Sequence, residues 1–146
     1  MTERTFFIVK PDAVRARALG KVIAMIEASG LAIVAGRIRH LTTDDAQRFY
    51  AVHRERPFFG DLVKFMTSGP VFVGVLEGEN AIKRWRDLMG PTDSKKASKG
   101  TVRGEFGTDV EQNATHGSDA VETARAEIAF FFPGLDLPGA TAAPQA

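Results

Sequence analysis

The spacing of apolar positions changes period several times along the chain, and each change marks an element. Residues 4–10 are rich in β-branched and aromatic side chains (Thr5-Phe6-Phe7-Ile8-Val9), which predicts a buried strand ending at Pro11-Asp12. Leu19, Val22, Ile23 and Ile26 then fall at i, i+3, i+4 and i+7, the stripe of an amphipathic helix with Gly30 as its stop. Residues 31–41 alternate. Leu31, Ile33, Ala35 and Ile38 are apolar and Arg37 and Arg39 face the other way, so a strand with one wet face is expected, weakened or bulged at Gly36. Thr42 with Asp45 three residues later has the form of a capping box, starting a helix that runs to about His53. A short helix over 61–67 is stopped by Gly69-Pro70. An apolar strand over 71–77 and a helix over 80–89, stopped by Gly90-Pro91, complete the regular pattern. Residues 90–104 show no periodicity and hold four Gly or Pro and three lysines, the mark of a long functional loop. A short extended stretch leads to His116, and a last helix is expected from about 119 to 131, with Asp119 and Glu122 as a capping pair.

The order strand–helix–strand, then strand–helix–strand, predicts an α+β sandwich. One domain over residues 1–132 accounts for the periodic part. Residues 133–146, rich in Pro, Gly and Ala, read as a tail that is partly disordered or laid on a neighbouring subunit. Composition narrows the chemistry. There is no cysteine, so a disulfide framework and a thiolate zinc site are excluded, as suits a cytoplasmic protein. No apolar run approaches the roughly 18–20 residues that cross a bilayer, and the N-terminus lacks the form of a signal peptide. The formal net charge of +1 argues against a general polyanion binder. Charge is nevertheless uneven: residues 1–60 hold ten Lys or Arg against six Asp or Glu, and residues 105–146 hold one against seven. Early cations gathered around a small anionic ligand suit a nucleotide better than a nucleic-acid track.

The segment Asn113-Ala114-Thr115-His116-Gly117-Ser118-Asp119-Ala120-Val121 frames one histidine with small residues. A weak nucleophile becomes effective when a neighbour holds its ring and sets its tautomer, and Ser118 and Glu127 are the candidate neighbours. Gly117 is read as leaving room for a bulky group beside the ring. His40 and His53 read instead as surface or satisfied residues. Lys10 ends a buried strand, where a lysine without a partner is costly, so it reads as functional. Arg86 and Arg103 flank the long loop and complete a candidate clamp. Phosphoryl transfer asks the protein mainly for alignment and positive charge, and these residues supply both. No Gly-x-x-x-x-Gly-Lys-Ser/Thr loop and no His-Arg-Asp segment occurs, so P-loop and protein-kinase mechanisms have no support.

Asn-x-x-His-Gly-Ser-Asp resembles the active-site signature of the nucleoside diphosphate kinase family. Thr5–Asp12, Arg56-Pro57-Phe58-Phe59, Ser68-Gly69-Pro70-Val71, Glu77-Gly78-Glu79-Asn80-Ala81 and Gly100-Thr101-Val102-Arg103-Gly104-Glu105-Phe106 are similar to further blocks of that family, in the same order. The resemblance implies a ferredoxin-like sheet of four antiparallel strands with helices packed on it, over one face. It implies transfer of the γ-phosphate of a nucleoside triphosphate, chiefly ATP, to a nucleoside diphosphate through a phosphohistidine at His116, by ping-pong kinetics, maintaining nucleotide pools. Ser118 and Glu127 would orient His116, with a pros-phosphohistidine as the family's intermediate, while the residues themselves leave open which ring nitrogen is the nucleophile. Lys10, Arg86, Thr92 and Arg103 would touch phosphate, with Tyr50 hydrogen-bonded to it. Phe58 would stack on the base and Asn113 would contact the sugar. Mg2+ would arrive on the nucleotide, with Asp119 reaching it through water. The resemblance also implies a homo-oligomer, a tetramer or hexamer, without a membrane or specific nucleic acid as partner. Two rivals use the same residues: a relay passing phosphate from His116 to a partner protein, and a nucleotide-binding module without turnover. Departures from the family pattern are Pro91, which stiffens the approach to Thr92, a short ending unlike the longer tails of the eukaryotic members, and two substitutions. Ala120 stands where a second serine is common, and Trp85 where a smaller residue is usual.

Overall fold

Five consecutive residues, Thr5 to Val9, are fully buried, and that run places their strand in the middle of the sheet, with a core on each side. The computed structural model describes residues 2–134. Its elements are β1 (Thr2–Val9), α1 (Pro11–Arg15), α2 (Leu19–Ala28), β2 (Ala32–Arg39), α3 (Thr43–Phe49), α4 (Phe59–Met66), β3 (Val71–Glu79), α5 (Ala81–Met89), α6 (Val102–Phe106), β4 (Thr115–Gly117) and α7 (Val121–Phe131). Single 3-10 turns at Ala51–His53 and Ser94–Lys96 lie between them. The strands stand in the order β2-β3-β1-β4, each neighbouring pair antiparallel, as expected of the α+β sandwich.

Side chains alternate along a strand, so β1 sends Phe6 and Ile8 to one face and Phe7 and Val9 to the other. Phe6 and Ile8 join Val71, Val73 and Val75 of β3 under α3, α4 and α7. Phe7 and Val9 join Leu76 under α2 and α5, with Val22, Ile26, Trp85 and Met89 filling the layer. Helices therefore cover both faces, not the single face that the resemblance implied. Each phenylalanine of β1 has 0% exposure, and burial of such a side chain contributes about 1.5–3 kcal/mol.

The capping box forms as expected: Thr42 accepts from the Asp45 N–H, and the Asp45 carboxylate accepts from the Thr42 N–H. The helix it starts ends at Phe49, and only a 3-10 turn continues to His53. The irregularity in β2 lies between Ile33 and Ala35, not at Gly36. Gly36 instead seats an aromatic ring, since a Cβ there would come within 2.5 Å of the Phe72 ring. The presumed loop over 90–104 contains the turn Ser94–Lys96 and the start of α6, whose first turn is capped by the Thr101 hydroxyl accepting from Gly104 N–H. The last helix begins at Val121, with Ala120 as N-cap and no side-chain cap, so Asp119 and Glu122 do not form the expected pair. The reason lies in the sheet: Ser118 N–H still donates to the Phe6 carbonyl at 3.2 Å, and the chain turns toward the helix only afterwards.

The arginines of the wet face of β2 are not simply solvated. Arg37 and Arg39 lie over the rings of Phe132 and Phe131, and Arg48 of α3 lies over Phe130, at 5.3–5.5 Å. These cation–π contacts hold the C-terminal end of α7 against the sheet. Of the expected tail, residues 135–146 lie outside the described residues.

Candidate active site

β4 is three residues long and pairs with the end of β1, His116 opposite Ile8. His116 is thus a strand residue at the sheet margin, with neighbours on every side. Phe49 (5.5 Å), Phe6 (6.1 Å) and Tyr50 (6.4 Å) all meet its ring edge-on. Glu127, on the second turn of α7, reaches back to it. Glu127 Oε1 lies 2.9 Å from His116 Nε2 and accepts from the Ser118 hydroxyl at 2.7 Å. A carboxylate only accepts, so Nε2 carries the proton and Nδ1 keeps its lone pair. Sequence alone did not separate the two nitrogens; this contact does.

Behind the strand the packing is tight. Trp85 is fully buried, edge-on to Phe7 at 5.6 Å, and its indole N–H donates to the His116 carbonyl at 3.4 Å. A Cβ at position 117 would fall 2.6 Å from that indole and 2.7 Å from the Met89 methyl. Gly117 is therefore required by the tryptophan behind it, and it also lines the cavity in front.

Lys10 follows β1 and is 8% exposed. Its ammonium donates to Asn113 Oδ1 at 2.8 Å, and Asn113 Nδ2 donates to the Thr92 carbonyl at 2.9 Å. Asn113 is thus a brace between the lysine and the long loop. Burial pushes the Lys10 ammonium down to about 8, the Arg103 charge adds to this, and Asp12 and Glu111 oppose it. Arg103 gathers three carbonyl oxygens, those of Gly90 (3.0 Å), Asn113 (3.3 Å) and Thr115 (2.8 Å). Burial and then Arg86 lower its guanidinium to about 10, so it stays charged at neutral pH. Arg86 leans on the Gly117 carbonyl at 3.4 Å. Among the described residues none of these three cations forms an ion pair. The Tyr50 hydroxyl is buried without a partner, and burial, helped by the Glu127 charge, pushes its pKa well up, so it remains a phenol able to donate.

These groups share one cavity of about 520 Å³. Lys10, Tyr50, Phe58, Arg86, Thr92, Arg103, Asn113, His116, Asp119 and Glu127 all line it, so the structure brings together every candidate except Ser118, which lies behind Glu127. Asp119 and Thr92 are exposed. Lys10 and Thr92 also border an adjoining slot of about 390 Å³ with Phe58, Leu62, Val110 and Glu111. Phe58 is 45% exposed and Val110 61% exposed, so two large apolar side chains face solvent at this slot.

Sequence reasoning passed over several of these neighbours. Leu62 and Val110 wall the slot, and Val110 is an apolar residue in an otherwise polar loop, a signal that was available. His53, read as a surface residue, lines the cavity with its ring 5.4 Å from Phe58. Phe49 gave no local sign of its contact with His116. Asp12, which the sequence marks only as the end of the first strand, is also part of the site's frame. Its Oδ2 accepts from Ala114 N–H at 3.1 Å, its Oδ1 is buried without a partner, and burial raises its pKa against the pull of the Ala114 N–H and of Lys10. Ala114 itself has φ 72°, a left-handed conformation that costs a residue other than glycine about 1–3 kcal/mol.

The family model described as nucleoside diphosphate kinase matches residues 3–137. Proteins named nucleoside diphosphate kinase from Bordetella petrii and Paracidovorax citrulli are each 58% identical over 135 residues, covering 92% of this chain and 96% of theirs. Among solved structures, the Aquifex aeolicus nucleoside diphosphate kinase aligns with a TM-score of 0.92 at 50% identity, covering 94% of this chain and 100% of that one. A halophilic nucleoside diphosphate kinase from Halobacterium salinarum, in complex with CDP, aligns with a TM-score of 0.90 at 42% identity, covering 94% and 92%.

Proposed function

The chain belongs to the nucleoside diphosphate kinase family, a family of phosphotransferases, and from that premise we propose that His116 Nδ1 is the atom that carries the phosphoryl group between nucleotides. The activity is transfer of the terminal phosphate of a nucleoside triphosphate to a nucleoside diphosphate. The observation that carries the assignment of the atom is the shared Glu127 oxygen, which engages Nε2 and leaves the Nδ1 lone pair free.

In the first half-reaction the Nδ1 lone pair attacks the γ-phosphorus in line. A P–N bond forms, the bond from phosphorus to the β–γ bridging oxygen breaks, and the diphosphate leaves with that electron pair. The ring, protonated at Nε2 and phosphorylated at Nδ1, is cationic, and the Glu127 carboxylate beside Nε2 stabilises it. A second diphosphate then attacks the same phosphorus and the ring is regenerated. Lys10, Arg86 and Arg103 supply fixed positive charge to the phosphate oxygens, and the Tyr50 phenol donates a hydrogen bond. Phe58, with Leu62 and Val110, takes the base by its faces, which suits broad nucleotide specificity. Asn113 holds Lys10 and contacts the sugar. The comparisons do not favour a protein-to-protein relay or a module without turnover.

Magnesium fits this scheme as a passenger on the nucleotide. Among the described residues no group of three or more His, Asp or Glu side chains is arranged to hold an ion. Asp119, exposed at the cavity, is the carboxylate that would meet Mg2+ through water, and the ion would supply further neutralisation of phosphate charge. We further propose a cytoplasmic homo-oligomer, a tetramer or hexamer, with residues 1–132 as its domain and 133–146 as its tail. Association is supported by β2, which is the outer strand of the described sheet and carries Ile38 at 64% exposure. Among the described residues no helix is long and apolar enough to cross a membrane.

The test is incubation with γ-labelled ATP and Mg2+ without acceptor, followed by a GDP chase, on wild type and His116→Ala. Wild type is expected to take up an acid-labile, base-stable label that moves to GTP, while the variant binds nucleotide but takes up none. Labelling of the variant at the wild-type rate would remove His116 from the mechanism.

A further inference from the structure

Asp12 has no part in the chemistry above, yet it holds the segment that carries that chemistry. Ala114 is the left-handed residue between Asn113, which braces Lys10, and Thr115-His116, which enter β4. Both of its backbone polar groups are tied to one turn at the end of β1. Its N–H donates to Asp12 Oδ2 at 3.1 Å, and its carbonyl accepts from Lys10 N–H at 2.8 Å. A non-glycine residue keeps a positive φ only where its surroundings over-determine it, and here these two bonds act together with the Thr115 N–H, which donates to the Asn113 carbonyl across Ala114 at 2.8 Å. The contact spans 102 positions of sequence, so it is tertiary and not a helix cap. Asp12 also faces Lys10. The charged groups bearing on that ammonium are Arg103 of α6, Asp12 of α1 and Glu111 of the loop before β4. Of the two carboxylates, Asp12 acts the more strongly, and it opposes both burial and the arginine.

We propose that Asp12 is a positioning residue for phosphoryl transfer. Its Oδ2 locks Ala114 in the turn that aims Asn113 and His116, and its negative charge balances the buried Lys10 ammonium. The inference rests on the phosphotransfer reading of His116. It goes beyond a first-turn acid in α1, because such an acid would affect the helix and leave the pH response of Lys10 unchanged.

The experiment compares wild type, Asp12→Asn, Asp12→Ala and the double variant Asp12→Ala/Ala114→Gly. Single-turnover labelling by γ-labelled ATP and the pH profile of kcat/KM are recorded for each. Asp12→Ala is expected to slow labelling by about 10- to 100-fold, the scale on which a displacement of roughly an ångström reaches reacting groups. Adding Ala114→Gly should return much of that loss, because glycine takes a positive φ without being held there. Asp12→Asn keeps an oxygen for the Ala114 N–H and so should also recover most of the rate lost in Asp12→Ala. Without the carboxylate charge, however, Lys10 loses its proton more easily, and the alkaline limb of the Asp12→Asn profile should move to lower pH. If Asp12→Ala does not fold, the Asp12→Asn profile decides the matter alone. An unmoved alkaline limb in Asp12→Asn overturns the electrostatic half, and a double variant no faster than Asp12→Ala overturns the geometric half. Wild type separates the two levels of reading. If it takes up no label, the phosphotransfer reading fails and this inference with it; if it labels and the variants match it, only the inference fails.

Discussion

Replacing Glu127 by glutamine tests the orientation of His116 with the least change of shape. The glutamine carbonyl can still accept from His116 Nε2 and from Ser118 Oγ, the contacts now at 2.9 and 2.7 Å. What is removed is the charge. The two side chains are 20% and 15% exposed, so water screens the pair only partly. Hydrogen bonds to a charged group are worth about 1.5–3 kcal/mol and neutral ones about 0.5–1.5 kcal/mol, so the bond to the ring, the one that strengthens as the ring becomes cationic, loses about 1–1.5 kcal/mol. The loss falls on the step that makes the ring cationic, because before attack the imidazole is neutral. That converts to roughly a 5- to 13-fold fall in the rate of labelling by γ-labelled ATP. If the amide turns its NH2 toward Nε2, the ring is pushed to the wrong tautomer and the fall is larger. Quench-flow measurement of phosphoenzyme formation reads this rate directly, and calorimetry with ADP reads binding, which should stay within about twofold. Labelling within about threefold of wild type would refute the argument that the Glu127 charge stabilises the transferring ring. An equal loss of ADP affinity would show instead that Glu127 serves binding.

Other outcomes follow from the same site. The Lys10 ammonium titrates at about 8 in the fold and at 10.5 as a free side chain, so the folded chain binds fewer protons between those values. This group's contribution to stability therefore rises with pH across that window, while its grip on phosphate is lost as pH climbs through about 8. Phosphotransfer should decline above that pH, and denaturant titrations should show a flatter pH dependence in Lys10→Met over the same window; identical slopes in both proteins would count against it. Gly117→Ala puts a methyl into the indole of Trp85 and should cost about 1–3 kcal/mol of stability, read as a lower Tm, with an unchanged Tm disproving the close packing. Arg103→Ala should raise the transfer barrier by about 2.7–4 kcal/mol, the scale of removing one fixed donor to a developing anion. It should also lower Tm, since three carbonyl oxygens lose their donor, and a wild-type kcat would take Arg103 out of the clamp.

Features set by neighbours along the chain were legible in advance. The β-branched and aromatic run of β1, the stripe of α2 and the Thr42–Asp45 capping box each follow from spacings of a few residues. The segment around His116, with five further blocks, identified the family resemblance, and every cavity residue named from it lines one cavity or stands directly behind it. Features that depend on which distant segments meet were not legible. Nothing beside Gly117 in sequence announces that Trp85 lies under it, and nothing beside Asp12 announces Ala114, 102 positions away. The Asp119 cap failed because sheet pairing of Ser118 with Phe6 outweighs a local capping preference. Helices on both faces follow from the side of the sheet on which each connection packs, which no period contains. Periodicity reports which side of an element is apolar, whereas strand order and helix packing decide which apolar side meets which. The sequence by itself determined the main strands and helices, the candidate nucleophile and the kinship. The tertiary structure alone decided the free ring nitrogen, the slot at Phe58 and the clamp on Ala114, because each of these is a contact between groups that only the closed sheet brings within bonding distance.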